Sequence, residues 1–115
     1  MNKYRNRLDV IADMLSVVND NDEAKKTKIM YRANMSWNLL NRYLNDLLET
    51  GLVNSKNSNS YVLTGKGKLF LQKYREYHKR HKKVEEQAKV IESEKMILEN
   101  MAFNSGARVR EDDKK

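Results

Sequence analysis

From Phe70 to Ala102 the sequence carries one uninterrupted heptad pattern. The marked positions are Phe70, Tyr74, Tyr77, His81, Val84, Ala88, Ile91, Lys95, Leu98 and Ala102, spaced alternately by four and three residues. Such spacing keeps a single seam of a helix turned toward a partner helix. The chain has no proline, the residue that would remove a hydrogen bond and clash inside that helix. A long helix is therefore predicted from its N-cap Thr64 to about Ala102. Its first turns can pack on a domain formed by the preceding residues. From Tyr77 onward no apolar segment remains to cover the seam, so a second copy of the chain is expected there. Tyr74, Tyr77, His81, Val84, Ala88, Ile91, Lys95 and Leu98 are the expected dimer interface.

Charge along this helix argues for an antiparallel pair. Its start is basic, with Lys73, Arg75, Lys79, Arg80, Lys82 and Lys83, and its end is acidic, with Glu85, Glu86, Glu92, Glu94 and Glu99 and with Lys89 and Lys95 as exceptions. An antiparallel arrangement sets basic beside acidic, at roughly 0.3–0.5 kcal/mol for each flanking pair. The register that pairs Val84 with Ala88, His81 with Ile91 and Tyr77 with Lys95 across the dimer also brings Arg80 to Glu94. It keeps the Lys95 ammonium away from Phe70, where burial would be costly.

The residues before the long helix read as a small domain. Leu8, Ile11, Ala12, Leu15 and Val18 mark the inner face of an amphipathic helix over 7–18, with Asp9, Asp13 and Ser16 outside. The polar run 19–24 (NDNDEA) predicts a loop. Thr27 is placed as the cap of a short helix over 27–33, with Ile29, Met30 and Ala33 inward and Asn34 as a left-handed stop. Ser36 caps a third helix over 37–50 that ends at Gly51, and Leu40, Tyr43, Leu44, Leu47 and Leu48 form its inner stripe. Residues 52–55 and 60–63 predict two strands around the turn Lys56-Asn57-Ser58-Asn59. Few arrangements of these elements allow only the residues from Ala33 to Ser36 between the second and third helices. That spacing suits a helix-turn-helix followed by a hairpin wing. The expected class is mainly α with a small β-wing: a winged helix-turn-helix over 4–70, a dimerisation helix over 71–102, and a disordered charged tail over 103–115.

Composition narrows the function. The 115 residues carry 23 Lys+Arg against 16 Asp+Glu, a net charge of +7, and no cysteine. Disulfide scaffolds, cysteine-ligated zinc and thiol chemistry are excluded. No apolar run approaches the roughly 20 residues of a membrane span, and no signal-peptide core follows the N-terminus; the expected location is the cytoplasm, in association with the nucleoid. The sequence lacks G-x-S-x-G, H-E-x-x-H and Gly-rich nucleotide signatures, so no enzymatic activity is expected. His78 and His81 are the only histidines and have no third ligand within sequence reach. No metal, cofactor or small-molecule ligand is expected.

The positive charge is concentrated. Between Ala24 and Asn45 there is no Asp or Glu, while Lys25, Lys26, Lys28, Arg32 and Arg42 all fall there. This stretch is the helix-turn-helix, where phosphates would lie. In that motif the first part of the second helix meets base edges. Ser36, Trp37, Asn38, Asn41, Arg42 and Asn45 are therefore candidates, since Asn pairs with adenine and Arg with guanine. Trp37, at the first helical position, either packs on the first helix, the preferred reading, or stands out to stack on a sugar. Lys56 on the wing is a candidate for a phosphate or the minor groove, and Lys66 for a phosphate near the start of the long helix. Gly65-Lys66-Gly67-Lys68 lacks the spacing of a P-loop, and its glycines are read as permitting a close turn after the wing.

The segments RLDVIADML, KKTKIMYRANMSWNLLNRYLNDLLETGLV and YVLTGKGKLFLQKY resemble an archaeal winged-helix family of small basic DNA-binding proteins and predicted transcriptional regulators. The resemblance covers about residues 4–77. One branch of that family joins two winged-helix domains through an antiparallel coiled coil of the last helix. The resemblance implies double-stranded DNA as partner and a role as dimeric transcriptional regulator or chromatin architectural protein. The chain departs from the family in a longer polar loop after the first helix and in its charged tail. A winged-helix module that binds other proteins, without DNA affinity, is the alternative.

Overall fold

The computed structural model describes residues 5–104. Helix α1 (Arg7–Asp20) opens the chain, followed by β1 (Ala24–Lys25), α2 (Lys26–Arg32), α3 (Trp37–Glu49), β2 (Val53–Ser55), β3 (Ser60–Leu63) and α4 (Gly65–Phe103). The chain divides into two units, the second beginning at Tyr77.

In the first unit, each helix end has a local chemical cause. Asn6 Oδ1 accepts from the Asp9 N–H at 2.8 Å, and the Asp9 carboxylate accepts in return from the Asn6 N–H at 3.1 Å. This reciprocal box starts α1. Asn34 takes a left-handed φ of 57° and Gly51 one of 79°. The Met35 N–H then reaches back to the Met30 carbonyl, and Leu52 to Leu47, closing α2 and α3 with the same Schellman geometry. The Ser36 hydroxyl accepts from the Leu39 N–H at 3.2 Å and starts α3. Replacing Ser36 with Ala is expected to lower stability by about 1 kcal/mol, measured as a lower midpoint in urea with an unchanged slope.

Two expectations fail at the start of the helix-turn-helix. The predicted loop over 19–24 is shorter, because α1 runs on to Asp20 and Ala24 already pairs with Tyr61 in a sheet. Nor is Thr27 a cap: α2 begins at Lys26, after Lys25, with no side-chain capping bond. Lys25 is held extended by its pairing with Ser60, so the helix leaves directly from a strand. The sheet is consequently three-stranded, in the order β1-β3-β2 and antiparallel throughout.

The core sits between α1, α2, α3, the sheet and the first turns of α4. Leu15, Ile29, Leu40 and Val53 are fully buried at its centre, and Leu71 closes it from α4. The inner face of α1 is broader than its apolar spacing indicates. Val10, Met14 and Val17 are buried, whereas Leu8 is exposed. A helix packed against both α2 and the sheet is covered on more than one stripe.

The junction between α3, β2 and α4 is tight. The Thr64 hydroxyl donates to the carbonyls of Gly51 and Leu52 and accepts from the Gly67 N–H at 3.0 Å. Gly67 is buried, and a β-carbon there would stand 2.2 Å from the Leu52 carbonyl oxygen. At this position glycine permits close approach of two backbones.

Helix α4 extends through Phe103, so the expected tail boundary at 103 falls one residue too early. The rest of the proposed tail, from 105, lies outside the described residues. In the second unit the Tyr77 and His81 rings lie 5.8 Å apart, and His81 Nδ1 is 3.8 Å from the Glu85 carboxylate. The seam residues Tyr77, Val84, Ile91 and Leu98 are exposed, as are Val90, Met96, Ile97, Met101 and Phe103. Among the described residues no helix is long and apolar enough to cross a membrane.

Candidate nucleic-acid interface

Three segments converge around one hollow of about 310 Å³. Lys25, Lys26 and Thr27 come from the end of β1 and the start of α2, Trp37 from the first turn of α3, and Ser58, Asn59 and Tyr61 from the wing. The sheet produces this convergence. Because β1 pairs with β3, the first residues of α2 are fixed beside the wing strand. The wing turn is itself ordered by Asn57, whose Oδ1 accepts from the N–H groups of Asn59 and Ser60, both at 3.1 Å.

The sequence candidates separate by what each side chain touches. Lys25, Arg32 and Arg42 are exposed and form no ion pair among the described residues. Lys28 is exposed, with its ammonium 3.2 Å from Asn21 Oδ1. Asn38 and Asn45 are exposed along α3. Ser36 is committed to its cap. Lys26 is half-buried, 2.8 Å from Asn41 Oδ1, with its ammonium 5.5 Å from the Trp37 ring centroid. The expected packing of Trp37 on α1 is not found. The ring is 47% exposed and meets Lys26 of α2.

Two candidates are engaged inside the domain. Lys56 pairs with Glu23 at 3.4 Å, joining the wing to the segment before β1. The Lys66 ammonium donates to the Thr50 carbonyl at 2.7 Å. Lys66 thus satisfies a carbonyl at the C-terminal end of α3, where the helix dipole also favours a cation. Tyr74, counted in the seam, is half-buried, and its hydroxyl hydrogen-bonds the Asp9 carboxylate.

Arg5 was not among the candidates. Its guanidinium donates to Asp13 Oδ2 and the Ala33 carbonyl, both at 2.6 Å, and to the Asn34 carbonyl at 3.0 Å. It ties the turn of the helix-turn-helix to α1. No local pattern marks this residue, because its partners in the turn lie 28 and 29 positions away.

A tight two-helix turn, an exposed basic face and a wing fixed beside the second helix define a winged helix-turn-helix. The chain belongs to the Winged helix-turn-helix family, whose model matches residues 4–82. Among relatives, it is 40% identical over 72 residues to the uncharacterized protein MJ0290 of Methanocaldococcus jannaschii. That match takes in 63% of this chain but only 33% of the relative, so the chain corresponds to about a third of the longer protein. It is 34% identical over 73 residues to the uncharacterized protein MJ0287 of the same organism, covering 58% of this chain and 73% of the relative. The fold is shared with the crystal structure of Sso10a-2, a DNA-binding protein from Sulfolobus solfataricus, at a TM-score of 0.70 and 22% identity. That likeness covers 77% of this chain and 95% of the other.

Proposed function

We propose that this protein binds double-stranded DNA as a homodimer and acts in the cytoplasm, on the nucleoid, as a transcriptional regulator or an architectural protein. The observation that carries the reading is the acid-free stretch from Ala24 to Asn45, which leaves Lys25 exposed at the end of β1 and Lys28, Arg32 and Arg42 exposed on the two motif helices. Lys and Arg in such a place neutralise phosphates. Asn38, Asn41, Arg42 and Asn45 on α3 are the base-edge candidates. Lys56 contributes from the wing tip by exchanging Glu23 for a phosphate. The shared fold with a protein named as DNA-binding in Sulfolobus solfataricus is consistent with this role.

The test is an electrophoretic shift of duplex DNA by the full chain. Retardation that weakens with added salt supports the proposal, and absence of any shift at low salt favours the protein-interaction alternative. Regulator and architectural protein differ in specificity ratio, which genome-wide occupancy reads as sharp peaks or broad coverage.

Dimerisation through α4 accounts for the exposure of Tyr77, Val84, Ile91 and Leu98, and charge favours the antiparallel orientation. Cysteines introduced singly at Val84 and Ala88 and mixed before oxidation are expected to give the heterodisulfide. If Ala88→Cys crosslinks to itself instead, the helices run parallel.

A further inference from the structure

Among the basic residues of the motif, Lys26 is set apart by its surroundings. Its ammonium donates to Asn41 Oδ1 at 2.8 Å and stands 5.5 Å from the centre of the Trp37 ring. On its other side, Asn41 Nδ2 donates to the Trp37 carbonyl at 3.0 Å. An ammonium can only donate and a carbonyl can only accept. These two contacts therefore fix which end of the Asn41 amide is oxygen and which is nitrogen, an assignment that geometry alone leaves open. A primary amide offers two donor hydrogens and two acceptor lone pairs. One of each is used here, and one of each remains. A donor and an acceptor on one planar group are what the major-groove edge of adenine takes, through N7 and the N6 amino group.

Resting on the DNA-binding reading above, we infer that Lys26 is a positioning residue for recognition of adenine by Asn41, and is not a phosphate anchor. Lys26 lies on α2 and Asn41 on α3, so the contact also locks the two motif helices together at the end that enters the groove. The Trp37 ring completes the arrangement by holding the ammonium over its face, an attraction available to a cation but not to a neutral side chain. Replacing Lys26 with Met keeps the length and apolar stem but removes the donor, leaving the amide held only through Nδ2 by the Trp37 carbonyl. Lys26→Arg retains a planar donor that can serve both Asn41 and the ring.

The experiment starts from random-sequence duplexes of about two helical turns, roughly 20 base pairs at the 10–10.5 of one turn. The wild-type protein selects its preferred duplex from this pool. Affinity for that duplex, and for versions with each A·T pair replaced by G·C, is then measured for wild type, Lys26→Met, Lys26→Arg, Asn41→Ala and Lys28→Ala. Wild type and Lys26→Arg are expected to discriminate at one adenine by about ten-fold or more. Lys26→Met and Asn41→Ala are expected to lose most of that ratio at the same base pair. Lys28→Ala, which removes one contact in each of the two copies, should instead weaken all duplexes alike and reduce the salt slope by about two, whereas Lys26→Met should leave that slope close to wild type. A Lys26→Met protein that keeps the ratio and loses affinity uniformly overturns the inference, making Lys26 a phosphate contact. So does a wild-type protein that binds duplexes without sequence preference. Failure of wild type to bind any duplex overturns the DNA-binding reading itself, and is distinguished by that first measurement.

Discussion

Raising salt from about 50 to 200 mM is expected to weaken duplex binding by roughly three to five orders of magnitude. The number follows from side chains that are placed to meet phosphates. Lys25, Lys28 and Arg32 are exposed on the motif and Lys56 on the wing, whereas Arg42 is assigned to a base edge, Lys26 is held by Asn41 and Lys66 by the Thr50 carbonyl. Four such cations in each of two copies neutralise about eight phosphates, which gives a slope of log K on log salt near −7. Removing Lys66 should leave the slope unchanged. A slope near zero, measured by titration at several salt concentrations, would remove the electrostatic basis of the proposal. A slope near −3.5 would mean that one domain engages the duplex at a time.

The largest effect on stability is expected at Gly67. Alanine there places its β-carbon 2.2 Å from the Leu52 carbonyl oxygen and about 3 Å from the Leu63 side chain. The obstacle is backbone, and it cannot swing aside. Alanine is favoured over glycine inside a helix by about 1 kcal/mol, but separating α4 from β2 also weakens the Thr64 contacts that join them. A net loss of about 2–3 kcal/mol is expected, typical of an overpacked core. In a domain of this size it lowers the melting temperature by roughly 10–20 °C. Gly65→Ala is the matched control, because its β-carbon meets nothing within 4 Å and the change should be neutral or slightly stabilising. Equal melting temperatures for the two variants would show that the junction is looser than described.

The parts legible in the sequence were those written in local chemistry. Asn34 and Gly51 supply positive φ, Ser36 supplies a hydroxyl to α3, and the short run Tyr61-Val62-Leu63 after a polar turn marks a strand. Each signal sits within a few residues of its effect. What escaped is set by distant partners. The two residues of β1 carry no strand pattern and are extended because β3 lies beside them. Val10, Met14 and Val17 are buried because α2 and the sheet both pack on α1. The same distinction runs through the candidate interface. The acid-free window located the basic face, but charge counting could not separate Lys25, which is exposed, from Lys26, which holds an amide, or Lys66, which holds a carbonyl. Arg5 carried no signal at all, because its role exists only once the motif turn has folded against α1.

The short strand β1 changes what the wing is mechanically. A hairpin attached only through its own two ends would swing as a flap. Here β3 is the middle strand, clamped between β2 and a strand that continues without a linker into α2. Bending the hairpin would require breaking the β1 ladder or dragging α2 with it. Compliance is thereby confined to the tip, residues 56–59, while the strands behave as a cantilever rooted in the motif. Amide protons of Tyr61 and Val62 should accordingly exchange with solvent as slowly as those of the buried helices, and those of Ser58 and Asn59 much faster. A duplex of unfavourable groove width would then be accommodated by deforming the DNA or the tip, with the spacing between wing and α3 unchanged.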